Sequence, residues 1–432
     1  MSKFIIIPTT TDLNRGDQAL VWESRKMVDS SQKNDEFFIL TEDKESGEQS
    51  ENEGFTALRP ILKHPGRKSR KSNNEVYGLR LILSWGLVAI FDLVFSLLLL
   101  NKLTRKISKK FISQDTKRTL EIYEKADAFF VKGGGFIHSS GKLTDTYTVY
   151  YQVYNIFLAH ALDKKVYILP NSFGPFKGMG VKWLVKKAFN MCEIVTVRES
   201  ISQQMVAEIG VDSELYPDLG FGLQKSNFKY KKLEEIKSKY TGFKFVGITA
   251  RPYRFPNSDN PEQAYINYVN EFATTAKWLF DNNFLPIFIE QTLSETTHES
   301  DISAIKDITK NLNTGTYSII SDASLNSREL KKIYSQMDYV IGTRFHSVIF
   351  SLSENVPAIA VTYGGNKGQG IMRDIGYSEF AIPMGEVDSN ALITKFKKLV
   401  KNTDKIKLGL SEEMKKILAA HEKLSSKISK EM

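Results

Sequence analysis

Short apolar runs alternate along this chain with longer stretches whose apolar residues recur every three or four positions. That alternation predicts parallel β–α–β architecture. The runs Phe4–Ile7, Phe37–Leu40, Phe129–Val131, Val166–Leu169 and Ile194–Val197 read as strands of a first set. Phe245–Thr249, Pro286–Ile289, Tyr317–Ile320, Tyr339–Ile341 and Ala358–Val361 read as strands of a second. Helical spacing covers Tyr147–Leu162, Val181–Met191, Ser200–Ile209, Gln263–Phe280 and Leu330–Gln336. Between the sets lies Gln224–Lys244, a lysine-rich stretch that starts as a linker and ends in a helix. The expected fold is α/β, with two Rossmann-like domains facing across a cleft in a GT-B-like arrangement. The domains are placed at 1–225 and 243–400. Residues 401–432 form an exposed amphipathic helix, with Leu408, Leu410, Met414, Ile417, Leu418 and Leu424 set among lysines.

Length and composition agree with this reading. A chain of 432 residues exceeds one ordinary core. Its 41% hydrophobic and 25% charged content is that of a globular protein, neither collagen-like nor disordered. One cysteine, Cys192, excludes an intrachain disulfide framework and fits a reducing compartment. The apolar run after Met1 is too short for a signal peptide and reads as a strand, so the catalytic body is expected in the cytoplasm.

The net charge of +9 changes the picture because of where it sits. Between Lys63 and Lys110 there are eleven Lys and Arg but only two acids, Glu75 and Asp92, so this segment carries the whole excess. The chain's longest apolar run, Leu81 to Leu100, lies at its centre. The run is long enough to span a bilayer. Basic clusters on both flanks (Lys63, Arg67, Lys68, Arg70 and Lys71; Lys102, Arg105, Lys106, Lys109 and Lys110) and Asp92 at mid-run argue against crossing. So does the expectation that Phe4–Ile7 and Phe129–Val131 share a sheet. Two readings stand: an interfacial or re-entrant helix on an anionic membrane surface, via 63–110, or a helix or hairpin covering the sheet. Nucleic acid is not an expected partner, since no aromatic residues interleave the basic clusters.

Candidate chemistry gathers where strands end, the ligand-facing edge of an open α/β sheet. After the first strand comes Asn14-Arg15-Gly16-Asp17, with too few glycines for a dinucleotide or ATP loop. Asn14 and Asp17 suit sugar hydroxyls, and the plain alternative is that Asp17 is a helix N-cap. Lys132-Gly133-Gly134-Gly135, followed by His138, lets backbone N–H groups approach a ligand or simply makes a tight turn. Asn171-Ser172 and Arg198-Glu199 end the next two strands; Arg198 either binds an anion or pairs with Glu199. In the second half Arg251, Thr343-Arg344-Phe345-His346 and Lys367 occupy equivalent places. Arg198, Arg251, Arg344 and Lys367 are therefore expected to converge on one anion, with His346 beside it as the proton donor. The six histidines (64, 138, 160, 298, 346 and 421) show no metal-ligand spacing, His298 near Asp301 being the faint exception.

The ordered set Asn14-x-Gly16-Asp17-x-Ala19-Leu20, Gly133-Gly134-Gly135-Phe136, Asn171-Ser172-Phe173-Gly174-Pro175, Val197-Arg198-Glu199, Pro217-Asp218 and Thr343-Arg344-Phe345-His346 resembles the polysaccharide pyruvyl transferase family. Lys367 and Met372-x-Asp374-Ile375-Gly376 extend the likeness. Asn171 departs from it, since the family more often carries Gln there, and the 63–110 segment is not part of the pattern. The resemblance implies transfer of the pyruvyl unit of phosphoenolpyruvate, a co-substrate with no further cofactor or metal, onto two hydroxyls of a saccharide as a cyclic ketal. It implies His346 as the acid, with Arg344, Arg198, Arg251 and Lys367 on the donor. Asn14, Asp17, Gly134, Gly135, His138, Asn171 and Ser172 are expected on the saccharide, with Asp17 or His138 taking the hydroxyl proton. An acceptor on a lipid carrier would give the 63–110 segment its purpose, at the inner face of the cell membrane. A GT-B glycosyltransferase using a nucleotide-sugar donor and a non-catalytic glycan-binding subunit are the alternatives.

Overall fold

The structure is a computed structural model describing residues 2–28, 35–62, 79–142, 144–294, 299–363 and 366–432. Two compact units emerge: Met1–Asp12, Ser24–Tyr216 and Leu424–Met432 form one, and Leu13–Glu23 with Pro217–Lys423 form the other. A linear cut at 225 does not capture this division, because the stretch after the first strand groups with the C-terminal half.

In chain order the first half carries β1 (Lys3–Ile7), α1 (Arg15–Lys26), β2 (Glu36–Leu40), α2 (Glu48–Asn52), β3 (Phe55–Leu58), α3 (Leu79–Leu100), α4 (Lys102–Ser108), α5 (Gln114–Lys125), β4 (Ala128–Val131), β5 (Ser139–Ser140), α6 (Asp145–Ala161), β6 (Lys165–Asn171), β7 (Phe176–Lys177), α7 (Val181–Phe189), β8 (Ile194–Val197), α8 (Ser200–Ala207) and β9 (Glu214–Leu215). Among the described residues its main sheet runs β3-β2-β1-β4-β6-β8-β9, all pairs parallel. β1 pairs directly with β4, so the strands Phe4–Ile7 and Phe129–Val131 share one sheet, as expected. Both sheet faces are buried. Ile5, Phe38, Phe129 and Ile168 point into one core, while Phe4 and Tyr167 flank Phe130 on the other face, 5.8 and 5.3 Å between ring centroids. That explains the unbroken apolar runs of these strands.

The second half carries α9 (Lys231–Lys239), β10 (Lys244–Thr249), α10 (Pro261–Asp281), β11 (Phe284–Ile289), α11 (Asp301–Thr309), β12 (Ser318–Ile320), α12 (Ser327–Tyr334), β13 (Tyr339–Gly342), α13 (Phe345–Ser353), β14 (Ala358–Thr362), α14 (Asn366–Asp374), β15 (Ala381–Pro383), α15 (Ser389–Lys401) and α16 (Thr403–Glu431). Its sheet is also parallel, in the order β12-β11-β10-β13-β14-β15. Local chemistry starts these helices: Asn326 and Glu329 close a capping box on α12, and Asn260 caps α10 with Pro261 behind it. β10, β13 and β14 are neighbours, so the loops after them lie side by side.

The C-terminal helix corrects one expectation. It is not an exposed element, because Ile406, Leu410, Ile417, His421, Leu424 and Ile428 are buried along one stripe. Leu408 and Leu418 remain exposed.

Candidate active site

In the second unit the backbone after β13 is fixed first. Thr343 N–H donates to Thr249 Oγ1 at 3.0 Å and Thr343 Oγ1 donates to the Thr249 carbonyl at 2.9 Å, tying the ends of β10 and β13 together. Arg344 then stands at the N-cap position of α13, in extended conformation. Its Nε donates to Asp301 Oδ1 at 2.7 Å, and Nη2 lies 2.6 Å from the same oxygen and 2.8 Å from the Glu299 carbonyl. Asp301 is fully buried, and its other oxygen accepts the N–H groups of Gln291 and Thr292. Burial works against the Arg344 charge, but Asp301 outweighs it and holds the guanidinium above its ordinary range. Two of the three guanidinium nitrogens are thus engaged in positioning the group.

His346 sits one turn position further on, 7% exposed. Its Nε2 lies 3.9 Å from Asp218 Oδ1, and that oxygen also accepts Gly220 N–H at 2.8 Å. On the other side of the ring lies Gly16, where a β-carbon would stand 2.2 Å from His346 Nδ1. Only glycine permits that approach. The first turn of α1 is held in place by long-range bonds. Arg15 N–H donates to the Gln291 carbonyl at 3.3 Å, and Ser327 Oγ donates to the Arg15 carbonyl at 2.6 Å and lies 2.6 Å from Gln18 Oε1. Asn14, not Asp17, is the N-cap: its Oδ1 accepts Gly16 N–H at 3.1 Å and Asp17 N–H at 3.4 Å. The plain alternative for Asp17 therefore fails, and Asp17 follows the residue that touches the imidazole.

Arg251, after β10, stacks on Tyr363, after β14, with 3.8 Å from its guanidinium carbon to the ring centroid. Among the described residues its Nε is buried without a hydrogen-bond partner. Lys367 lies half-buried in the first turn of α14. Gly364 and Gly365, the glycines before it, fall outside the described residues, as does His298.

The first unit brings a second group together at the ends of β4, β6 and β8. Asn171 Nδ2 donates to the Lys132 carbonyl at 2.8 Å, while its Oδ1 is buried without a partner among the described residues. Ser172 N–H donates to the Gly134 carbonyl at 3.0 Å, and Arg198 Nε donates to Ser172 Oγ at 2.7 Å. Glu199 caps α8 by accepting Ser202 N–H at 2.7 Å; burial pushes its carboxyl up, opposed by Ser202 and Arg198. Gly135 and His138 are exposed, with His138 Nδ1 3.0 Å from the Gly135 carbonyl. So Gly134, Asn171, Ser172 and Arg198 do assemble, in one unit, whereas Arg251, Arg344, Lys367, Asn14 and Asp17 belong to the other.

Sequence reasoning missed Asp301, Glu299 and Gln18 as parts of the site and did not assign Asp218 a role. Asp218 had a signal, in Pro217-Asp218. Asp301 had none, being 43 residues from Arg344 with no local pattern to link them. Among the described residues no cluster of His, Cys, Asp and Glu could hold a metal ion.

A family model described as polysaccharide pyruvyl transferase matches residues 14–365. The chain is 22% identical over 252 residues to the amylovoran biosynthesis protein AmsJ of Erwinia amylovora, covering 56% of this chain. The match spans 60% of that relative's length. Among solved structures, the UDP complex of S. aureus MnaA is similar with a TM-score of 0.55 at 12% identity, over 96% of this chain and 91% of that one. Anabaena Alr3699/HepE, solved with UDP and glucose, has a TM-score of 0.54 at 9% identity over 99% of both chains. At such identities these likenesses carry the GT-B-like fold alone.

Proposed function

Since the chain belongs to the polysaccharide pyruvyl transferase family, we propose that it transfers the pyruvyl group of phosphoenolpyruvate to two hydroxyls of a saccharide, forming a cyclic ketal. The observation that carries this is the pairing of a buffered cation with a buried imidazole at one strand end: Arg344 fixed by Asp301, and His346 between Gly16 and Asp218. His346 protonates the methylene carbon, which makes C2 an oxocarbenium-like electrophile. One sugar hydroxyl adds to C2, the C2–O bond to phosphate breaks to release inorganic phosphate, and the second hydroxyl closes the ring, its proton going to the departing phosphate. Arg344, Arg251 and Lys367 take the carboxylate and phosphate oxygens, the Arg251 Nε being a buried donor without an acceptor among the described residues. Asp218 orients the imidazole. Asp17 accepts a proton from the attacking hydroxyl. Gly134, Gly135, His138, Asn171 and Ser172 meet saccharide hydroxyls; Arg198, expected on the donor, is bonded to Ser172 and is assigned here instead to an acidic group of the saccharide. The acceptor is met on a lipid carrier at the inner face of the membrane, with the protein peripherally bound there.

Thermal stabilisation separates this reading from a glycosyltransferase. A ligand that binds only the native state raises the melting temperature by mass action. Phosphoenolpyruvate should do so and UDP-sugars should not; the reverse result would favour nucleotide-sugar chemistry.

A further inference from the structure

Among the described side chains of α3, Asp92 and Ser96 face the protein together with Leu99, while most of the apolar residues from Ile90 to Leu98 face outward. Tyr147 OH donates to Asp92 Oδ2 at 3.4 Å, Ser96 Oγ lies 2.7 Å from Tyr150 OH, and Tyr154 OH donates to the Ser96 carbonyl at 3.4 Å. Ile90, Phe91, Val94, Leu97 and Leu98 are left exposed, Phe91 by 76%. The pattern continues past the cap at Asn101. Leu103, Ile107 and Phe111 recur every four residues and are 78%, 61% and 84% exposed. Lys102, Lys106 and Lys110, all exposed, run in the same register beside them. A soluble helix is ordinarily arranged the other way round, and monomeric proteins rarely leave so continuous an apolar face in water.

We propose that the outer face of α3, α4 and Phe111 is a docking surface for an anionic lipid bilayer, lying on the membrane. The apolar row enters the acyl boundary while the lysine stems extend back to the headgroups, the arrangement of an interfacial helix. Charge decides the occupant: a second copy of this chain, joined by a two-fold axis, would bring both lysine rows together. A further anchor flanks α3. Thr146 Oγ1 donates to the Met179 carbonyl at 2.8 Å, next to the Tyr147 that holds Asp92. Met179, just before α7, and Trp183, in its first turn, are 89% and 64% exposed, and Lys187 Nζ lies 5.1 Å from the Trp183 ring centroid. Tryptophan with lysine is the pairing that favours the headgroup layer. This deepens the proposed function, resting on its reading that the acceptor is met at a membrane, but vesicle binding needs neither donor nor acceptor, so either can fail alone.

The test is flotation of the full-length protein with phosphatidylcholine vesicles, with and without phosphatidylglycerol. Binding should require phosphatidylglycerol and weaken with salt. The triple variant K102Q/K106Q/K110Q should lose on the order of a hundredfold in partition, and L103S/I107S/F111S at least about tenfold. All these side chains are exposed, so both variants should melt like the parent, and L408S/L418S on α16 should bind as the parent does. Absence of binding, equal binding to neutral vesicles, or unchanged binding by the two patch variants would overturn the proposal. So would a concentration-dependent dimer that F111S dissolves in a protein that ignores vesicles.

Discussion

Replacing Gly16 by alanine distinguishes a steric role at the imidazole from an ordinary place in α1. The added methyl would stand 2.2 Å from Nδ1, 2.6 Å from Cγ and 3.0 Å from Cβ of His346. The ring cannot swing clear at little cost, because its Cβ is itself in the way and a β-carbon at Gly220 would lie 3.3 Å from Cδ2 on another side. Overpacking of this kind costs about 1–3 kcal/mol. Helix propensity acts in the opposite direction, favouring alanine by up to about 1 kcal/mol. The sign of the stability change therefore decides. Urea unfolding of the parent, Gly16→Ala, His346→Ala and the double variant closes a cycle. Gly16→Ala should destabilise the parent and be neutral or stabilising without the imidazole, a coupling of about 2 kcal/mol. If Gly16→Ala stabilised the parent, or the four free energies simply added, the packing of α1 on His346 would be refuted.

Asp301→Ala should strand a buried guanidinium and cost about 3–5 kcal/mol in urea unfolding, with a smaller loss when Arg344→Ala is already present. Asp218→Ala should lower kcat while leaving KM for phosphoenolpyruvate close to the parent's, because the carboxylate lies 3.9 Å from the imidazole and the proposal gives it no part in holding the donor; a change confined to KM would remove its positioning role. Asp145 gives a pH-dependent prediction. Burial alone would raise its pKa, but hydrogen bonds from Gly141, Lys142 and Ser140 hold it below its ordinary value. A depressed folded-state pKa contributes stability above the unfolded value, and that contribution is lost as pH falls through the folded one. Asp145→Asn should accordingly be less stable than the parent at neutral pH, with the gap closing in acid; a gap constant with pH would contradict it.

The central strands were legible because burial on both faces writes them as unbroken apolar runs. Ile194–Val197 matches β8 to the residue, and Tyr339–Ile341 falls one short of β13. Phe55–Leu58, Glu214–Leu215 and Ala381–Pro383 were not legible as strands. Each lies at a sheet edge, where pairing to one neighbour sustains a short element with little apolar pattern of its own. At the site, residues that follow strands could be read directly, Arg344 and His346 above all. What could not be read was anything requiring distance. Asp301 reaches Arg344 only through the fold, and the purpose of Gly16 is a ring that approaches from residue 346. The basic cluster from Lys63 to Lys71 lies outside the described residues. The apolar run beside it is a continuous helix, and among the residues whose side chains are described none forms a helix long and apolar enough to cross a membrane.

Release of inorganic phosphate from phosphoenolpyruvate, followed with a saccharide extract as acceptor alongside uptake of labelled pyruvyl carbon into that saccharide, tests the central claim most directly. The account predicts phosphate release that depends on saccharide and matches the pyruvyl uptake. It further predicts a loss of about 10²–10⁴-fold in His346→Ala while that variant still binds phosphoenolpyruvate. Full turnover by His346→Ala, or release of a nucleotide from a sugar donor with phosphoenolpyruvate untouched, would contradict it.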